Sequence, residues 1–348
     1  MSTFHPQVIH ALLAAALFGA STPLAKLLVG DVHPLLLGGL LYLGSGIGLG
    51  TARLIRDRGW TASGLSPIEW RWLLLAIVFG GMLGPVLLMM GLQTTLASTA
   101  SLMLNLEAVL TAVLAWVVFH EHTSRRVMLG MLVIVAGGVL LSLPEQSAHS
   151  SGWLGPLAIA GACLCWAIDN NLTRKVSSSD AMFIAASKGW VAGSVNCAIA
   201  AAMGITLPPA STTLAAMSIG LLGYGASLVL FVLALRGLGT ARTGAYFSTA
   251  PFIGAALALL MGEQTSANFW GAGALMALGV WLHLTETHEH EHTHEALEHQ
   301  HTHVHDEHHQ HDHEFEWDGS EPHSHWHRHE PLTHKHPHFP DIHHQHKH

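Results

Sequence analysis

The sequence predicts an all-α membrane protein: ten transmembrane helices built as two inverted five-helix repeats, followed by a disordered, histidine-rich C-terminal tail. Three observations carry that expectation. Apolar runs follow one another through residue 285, most near the roughly 20 residues that a helix needs to cross about 30 Å of hydrocarbon. The second half of that region repeats the first. The composition then reverses: residues 1–285 hold twelve Lys/Arg against nine Asp/Glu, whereas residues 286–348 hold three against fourteen and 23 of the 30 histidines. The divisions are therefore 1–143 for the first repeat, 144–285 for the second and 286–348 for the tail.

The runs lie near 8–28, 34–54, 71–91, 95–118, 127–143, 153–173, 181–203, 213–235, 243–261 and 268–284. The first lacks a basic leader and a small-residue cleavage site, so it reads as a retained helix rather than a signal peptide. Connections are short and rich in Gly, Pro or Ser, as at Leu143-Pro144 and Pro208-Pro209. Basic residues gather in alternate loops: Arg53, Arg56, Arg58 and Arg71 after run two, Arg125 and Arg126 after four, Arg174 and Lys175 after six, Arg236 and Arg242 around the loop from eight to nine. Positive residues stay on the cytoplasmic side, which predicts a multi-pass protein of the cell inner (plasma) membrane with both termini in the cytoplasm.

Several classes are excluded on the same grounds. No basic surface suggests a nucleic-acid partner. Cys163, Cys165 and Cys197 all sit in apolar runs, an odd count that reads as small core residues rather than a disulfide framework. No nucleophile–base pair or phosphate loop appears, so an enzyme is not expected.

The duplication is legible in two places. Ala97–Glu121 resembles Gly239–Glu263, each a small-residue-rich helix ending in Glu before a polar turn and a Gly-rich helix. Phe18-Gly-Ala-Ser21-Thr22-Pro23-Leu-Ala-Lys26 aligns with Trp166-Ala-Ile-Asp169-Asn170-Asn171-Leu-Thr-Arg174. Five helices is an odd number, so the second copy enters the membrane upside down, and such repeats place substrate sites near the midplane between the halves.

These paired halves, with Glu121 and Glu263 closing the fourth helix of each, resemble the EamA-type permeases of the drug/metabolite transporter superfamily over about residues 8–284. The resemblance implies a central cavity lined by both halves and open to each side in turn. It also implies cargoes such as amino acids, sugars, nucleotides or drugs, often exchanged for protons. The family usually places proline in the middle of each fourth helix; Pro251 fits, whereas the first half has Glu107-Ala108.

Ionisable groups at membrane depth cost several kcal/mol, roughly 2.5–3.5 near the centre on insertion scales, and mark functional sites by default. Glu107, midway along its run, is a candidate proton carrier or cation ligand. Asp169, Asn170 and Asn171 splay over most of a helix circumference and, opposite Ser21-Thr22-Pro23 in the repeat, predict local irregularity in both first helices. Lys188 is the buried-looking cation of the second half, and pairing with Asp169 or Glu107 would lower the cost of burying both. Ser21, Thr22 and Asn105 complete the candidate set. Each has a plainer reading, as a hydrogen-bonded packing residue or, for Asp169, a neutraliser of Arg174 or Lys188. Glu121 and Glu263 read chiefly as interfacial helix ends.

The tail alternates imidazole with acid or polar residues. His288, His290, His292, His294, His299, His301, His303, His305, His308, His309, His311 and His313 form the densest part. Too few apolar residues are present to offset ordering entropy, so disorder is expected, and imidazole suits divalent zinc, nickel and cobalt. Two functions compete: a proton-coupled secondary transporter of a small metabolite or drug, and a divalent-metal transporter with a metal-sensing tail. Neither requires a cofactor. Membrane lipid is the constant partner, and a homodimer is one admissible assembly.

Overall fold

The computed structural model describes residues 6–119, 125–143, 153–176 and 179–285, and four segments of the tail, 289–294, 297–303, 323–329 and 332–337. The first half comprises α1 (Pro6–Lys26), α2 (Pro34–Arg56), α3 (Pro67–Ala76), α4 (Gly84–Thr94), α5 (Ala97–Met103), α6 (Asn105–Phe119) and α7 (Arg125–Ser142). The second comprises α8 (Leu154–Arg174), α9 (Ala181–Ala202), α10 (Ala210–Gly220), α11 (Ser227–Phe247), α12 (Ala250–Leu260) and α13 (Ala267–Leu284). Among the described residues, six stretches are long and apolar enough to cross a membrane, Pro6–Lys26, Pro34–Arg56, Pro67–Thr94, Ala97–Val118, Arg125–Ser142 and Ala210–Ala234, with shorter apolar helices besides. The chain is a multi-pass helical membrane protein.

Close helix contact depends on glycine where lipid offers no hydrophobic drive to pack. Along the crossing of α2 and α9, a Cβ on Gly46 would overlap the Trp190 backbone, and one on Gly189 would overlap Gly46. That crossing joins the two halves. One end of it is clasped by charge: Asp180, which caps α9, accepts from Arg53 Nε at 3.0 Å and Arg56 Nη2 at 2.5 Å, while Arg53 also donates to Thr61 Oγ1 at 2.8 Å. Burial of Asp180 works against its charge, but hydrogen bonds from Arg56, Arg53 and the Met182 N–H outweigh it and hold the carboxyl down at about 2. A depressed carboxyl contributes stability that is present above the unfolded value, roughly 3.9, and is lost as pH falls through the folded one. Asp180→Asn is therefore expected to lower the melting temperature at pH 5 and above. That difference should shrink between pH 4 and 2; a pH-independent difference in detergent-solubilised protein would contradict the clasp.

Two expectations are corrected. The stretches at Ser21-Thr22-Pro23 and Asp169-Asn170-Asn171 do not interrupt their helices, since α1 and α8 run through them. Irregularity lies instead in π-helical turns at Ile77–Leu83, joining α3 to α4, and at Leu221–Ala226, joining α10 to α11. Both are glycine-containing, and π-turns cluster at functional sites. The loop expected around Arg236 and Arg242 is helical as well, because α11 continues from Ser227 to Phe247. The glycines there weaken a helix by ~1 kcal/mol each without breaking it, and no proline stops it.

In the tail, β1 (Glu289–His294) pairs antiparallel with β4 (Leu332–Pro337), and β2 (Leu297–His303) with β3 (His323–His329). This differs from the expected absence of regular structure. The His/polar alternation has the period-two repeat of a strand, and ladder bonds are made by backbone groups that need no apolar residues. His290, His292 and His294 lie on β1 and His299, His301 and His303 on β2. His288, His305, His308, His309, His311 and His313 lie outside the described residues.

Candidate functional site

The buried charges of the second half meet on α8 and α9. Asp169 and Lys188 are 7% and 8% exposed, and Lys188 Nζ lies 2.5 Å from Asp169 Oδ1. Thr173, one turn along α8, donates to the same carboxylate oxygen at 2.8 Å and accepts from Lys188 at 2.7 Å. Two opposite charges so enclosed cancel each other, so neither is free to balance a further charge.

The first π-turn forms the floor beneath this pair. A Cβ on Gly80 would lie 2.6 Å from Asp169 Cβ, so only glycine admits the carboxylate there. The Gly80 carbonyl accepts from Tyr42 Oη at 2.7 Å and Trp166 Nε1 at 3.0 Å. The second π-turn makes the matching contact in the other half: a Cβ on Gly223 would lie 2.5 Å from Ser21 Cβ, and the neighbouring Tyr224 hydrogen-bonds Ser21. Ser21 and Asp169, repeat counterparts in sequence, are thus each seated on a glycine of the opposite half. One side is a hydroxyl, the other a carboxylate.

Glu107 on α6 stands apart from the ion pair. Its Oε1 accepts from Asn170 Nδ2 at 2.8 Å, and Asn170 reaches Thr111 Oγ1 at 3.3 Å. Asn171 ties α8 to α6 through the Thr111 carbonyl at 3.2 Å. Among the described residues no lysine or arginine forms an ion pair with Glu107. Glu107 is half-buried, and its partner Asn170 is exposed.

Not every candidate joins this group. Asn105 turns toward Leu102 O, at 2.8 Å, and the Met276 sulfur rather than toward Glu107. Thr22 is buried in α1. Glu263 accepts from the N–H groups of Ala97 and Ser98, both at 2.8 Å, capping α5 from the other half, while Lys26 donates to the carbonyls of Thr95, at 2.9 Å, and Leu92. Glu121 lies outside the described residues. A separate cavity of 290 Å³ beside Leu96, Thr99, Gln264 and Ser266 is lined by no ionisable side chain, so the site is placed at the buried charges.

Tyr42, Tyr224, Thr111, Thr173 and Gly80 belong to the site without having been singled out in the sequence. A signal existed for two of them, since the chain has three tyrosines and both Tyr42 and Tyr224 fall inside apolar runs.

The comparisons with known proteins fit this duplicated arrangement. An uncharacterized transporter of Methanothermobacter thermautotrophicus is 27% identical over 290 residues, covering 79% of this chain and 84% of the relative. The probable 4-amino-4-deoxy-L-arabinose-phosphoundecaprenol flippase subunit ArnE of Pseudomonas aeruginosa (strain UCBPP-PA14) is 44% identical over 89 residues, 26% of this chain and 73% of that protein. One crystal structure shares the fold with a TM-score of 0.60 at 19% identity, over 80% of this chain and 96% of the other. The model of the EamA-like transporter family matches residues 5–143 and again residues 153–285. With one match to each half of the chain, the chain belongs to the EamA-like transporter family, within the drug/metabolite transporter superfamily.

Proposed function

We propose that this protein is a secondary transporter that carries a small metabolite or drug by alternating access, with Glu107 as the proton-coupling carboxylate. The observation that carries the reading is the division of labour between the two acids. Asp169 is neutralised by Lys188, whereas the half-buried Glu107 is met by the neutral, exposed Asn170. A carboxylate so placed can hold or release a proton as cargo comes and goes. The relative ArnE is by its name a subunit of a flippase for a lipid-linked amino sugar, which supports cargo with a polar head. In this reading ten spans cross a plasma membrane, with both termini in the cytoplasm.

The test is uptake from a mixed cellular metabolite extract into proteoliposomes, read by mass spectrometry. A proton gradient should drive accumulation of specific compounds, and Glu107→Gln should abolish that gradient dependence. Accumulation by the variant that still follows the gradient would remove Glu107 from the coupling role.

A second reading concerns the tail. Its support is the strand register, which sets His299 opposite His327, His301 opposite His325 and His303 opposite His323. Opposed positions of an antiparallel ladder are neighbours, and imidazole suits divalent zinc, nickel and cobalt. Zinc, nickel or cobalt held there would buffer or sense the metal at the transporter's edge. Ending the chain at Thr285 should remove nickel binding without loss of metabolite uptake; metal content and tolerance of the host unchanged by either form would exclude a metal role.

A further inference from the structure

The connection between α2 and α3 presents a second surface, on the outside of the bundle. Arg53, Arg56, Arg58 and Arg71 flank it, against Asp57, Glu69 and, from α9, Asp180. All three acids are already engaged. Asp57 and Asp180 accept from Arg56, at 2.6 and 2.5 Å, and Asp180 accepts from Arg53 as well. Glu69 closes the capping box of α3, accepting from Ser66 N–H at 2.8 Å and Ser66 Oγ at 2.7 Å. Arg58 and Arg71 are exposed, and among the described residues neither pairs with an acid. Phe183 fixes their level: Arg53 lies 5.0 Å over its ring, and Trp70, next to Arg71, meets that ring edge-on at 5.9 Å. The surplus positive charge at this end of the bundle therefore stands on two free guanidinium groups.

The backbone between them is held in an unusual shape. Arg58 is the one non-glycine residue at positive φ among the described residues, at 54°, and Gly59 follows at 145°. Such strain persists where the surroundings over-determine it. Here Thr61 donates to Asp57 Oδ2 at 2.8 Å and accepts from Arg53 at its Oγ1, 2.8 Å, and its carbonyl, 3.2 Å. Leu65 then packs against the core at Leu73, Ile77 and Phe183. Just before these anchors Trp60 is 78% exposed, with Ile55 and Ile68 at the adjoining helix ends 74% and 51% exposed. Tryptophan at a helix end suits the boundary between headgroups and hydrocarbon, and the planar guanidinium of arginine matches a phosphate. We propose that the α2–α3 connection is a headgroup site for anionic phospholipid, with Arg58 and Arg71 on the headgroup and Trp60 at the acyl boundary. A zwitterionic lipid brings its own cation to its phosphate and gains less from the two arginines. Because Asp57 and Thr61 tie this connection to Arg53, the lipid binds beside the clasp that joins the two halves.

The test is native mass spectrometry of the purified full-length protein, offered equimolar palmitoyl-oleoyl phosphatidylglycerol and phosphatidylcholine. The parent should retain the anionic lipid about ten-fold or more over the zwitterionic one, within reach of two arginines at an anionic surface. Arg58→Gln and Arg71→Gln should each lower that preference about five-fold, and Trp60→Ser should weaken retention of both lipids. Arg58→Gly suits the left-handed backbone. It should lose preference with the melting temperature unchanged or raised, a combination that an arginine serving only the fold would not give. Arg125→Gln, the same charge change at the start of α7, should leave the preference intact. An equal fall with Arg125→Gln would reveal general surface charge and overturn the site, as would equal retention of the two lipids by the parent. Excess glycerol 3-phosphate should displace little of the anionic lipid. If it empties the site, a soluble phosphate is the ligand and the lipid assignment falls.

Discussion

Lys188→Met is expected to destabilise the folded protein by about 3–5 kcal/mol, the cost of leaving one member of a buried ion pair uncompensated. The reasoning is asymmetric. With both partners present, Asp169 and Lys188 roughly cancel, and Thr173 occupies a further hydrogen-bonding position on each. With the lysine gone, a carboxylate 7% exposed and pressed onto Gly80 retains only Thr173 as a named polar partner. Removing both charges should cost far less, because the Asp169→Asn, Lys188→Met protein leaves no buried ion. Thermal unfolding in detergent, read by intrinsic fluorescence, checks the cycle. A single variant as stable as the parent, or a double variant no better than the single, would show that the pair is not a mutually neutralised unit. The same cycle bears on function, because a double variant that folds and still binds cargo would confine the site's charge to Glu107.

How far the sequence reaches is clear at this pair. Asp169 and Lys188 are legible because hydrocarbon tolerates few charges, so each one implies a partner within reach. The duplicated halves are legible for a similar reason: helix length, helix-end glutamates and glycine spacing survive divergence as a pattern along the chain. Where α8 meets the π-turn at Ile77–Leu83 is another matter. That contact joins residues far apart in sequence, and neither hydropathy nor periodicity encodes which glycine lies under which side chain. The irregularity expected at Asn170-Asn171 is absent because both amides find partners on α6, at Glu107 and Thr111. Asn171 also bonds back to the Ala167 carbonyl of its own helix at 2.9 Å, a contact one turn away that α8 accommodates without a break. The ring contacts among Tyr42, Tyr224, Phe18 and Phe247 are hidden for the same reason as Gly80, because the rings come from both halves and meet only once the halves pack together.

Gly80→Val is expected to be the most damaging single change to the site among those that leave every charged residue in place. Ordinary overpacking of a core costs about 1–3 kcal/mol because neighbours can yield. Here the nearest atoms of Asp169 belong to a side chain already held by Lys188 and Thr173, and the backbone at Gly80 is held by Tyr42 and Trp166. A branched side chain must therefore displace the carboxylate from its lysine or straighten the π-turn, and either outcome adds to the packing cost. Gly223→Ala supplies the internal comparison. Its Cβ meets Ser21 in the corresponding contact of the other half, where a small neutral side chain has no ion pair to lose. Gly30→Ala supplies the baseline, because a Cβ there meets nothing within 4 Å, and its effect should stay within about 0.5 kcal/mol. The expected order of melting temperature is Gly30→Ala, then Gly223→Ala, then Gly80→Val, with the last the only one to release the Lys188 amine for chemical labelling. If Gly80→Val proves as mild as Gly30→Ala, the carboxylate does not rest on the π-turn, and the floor of the site lies elsewhere.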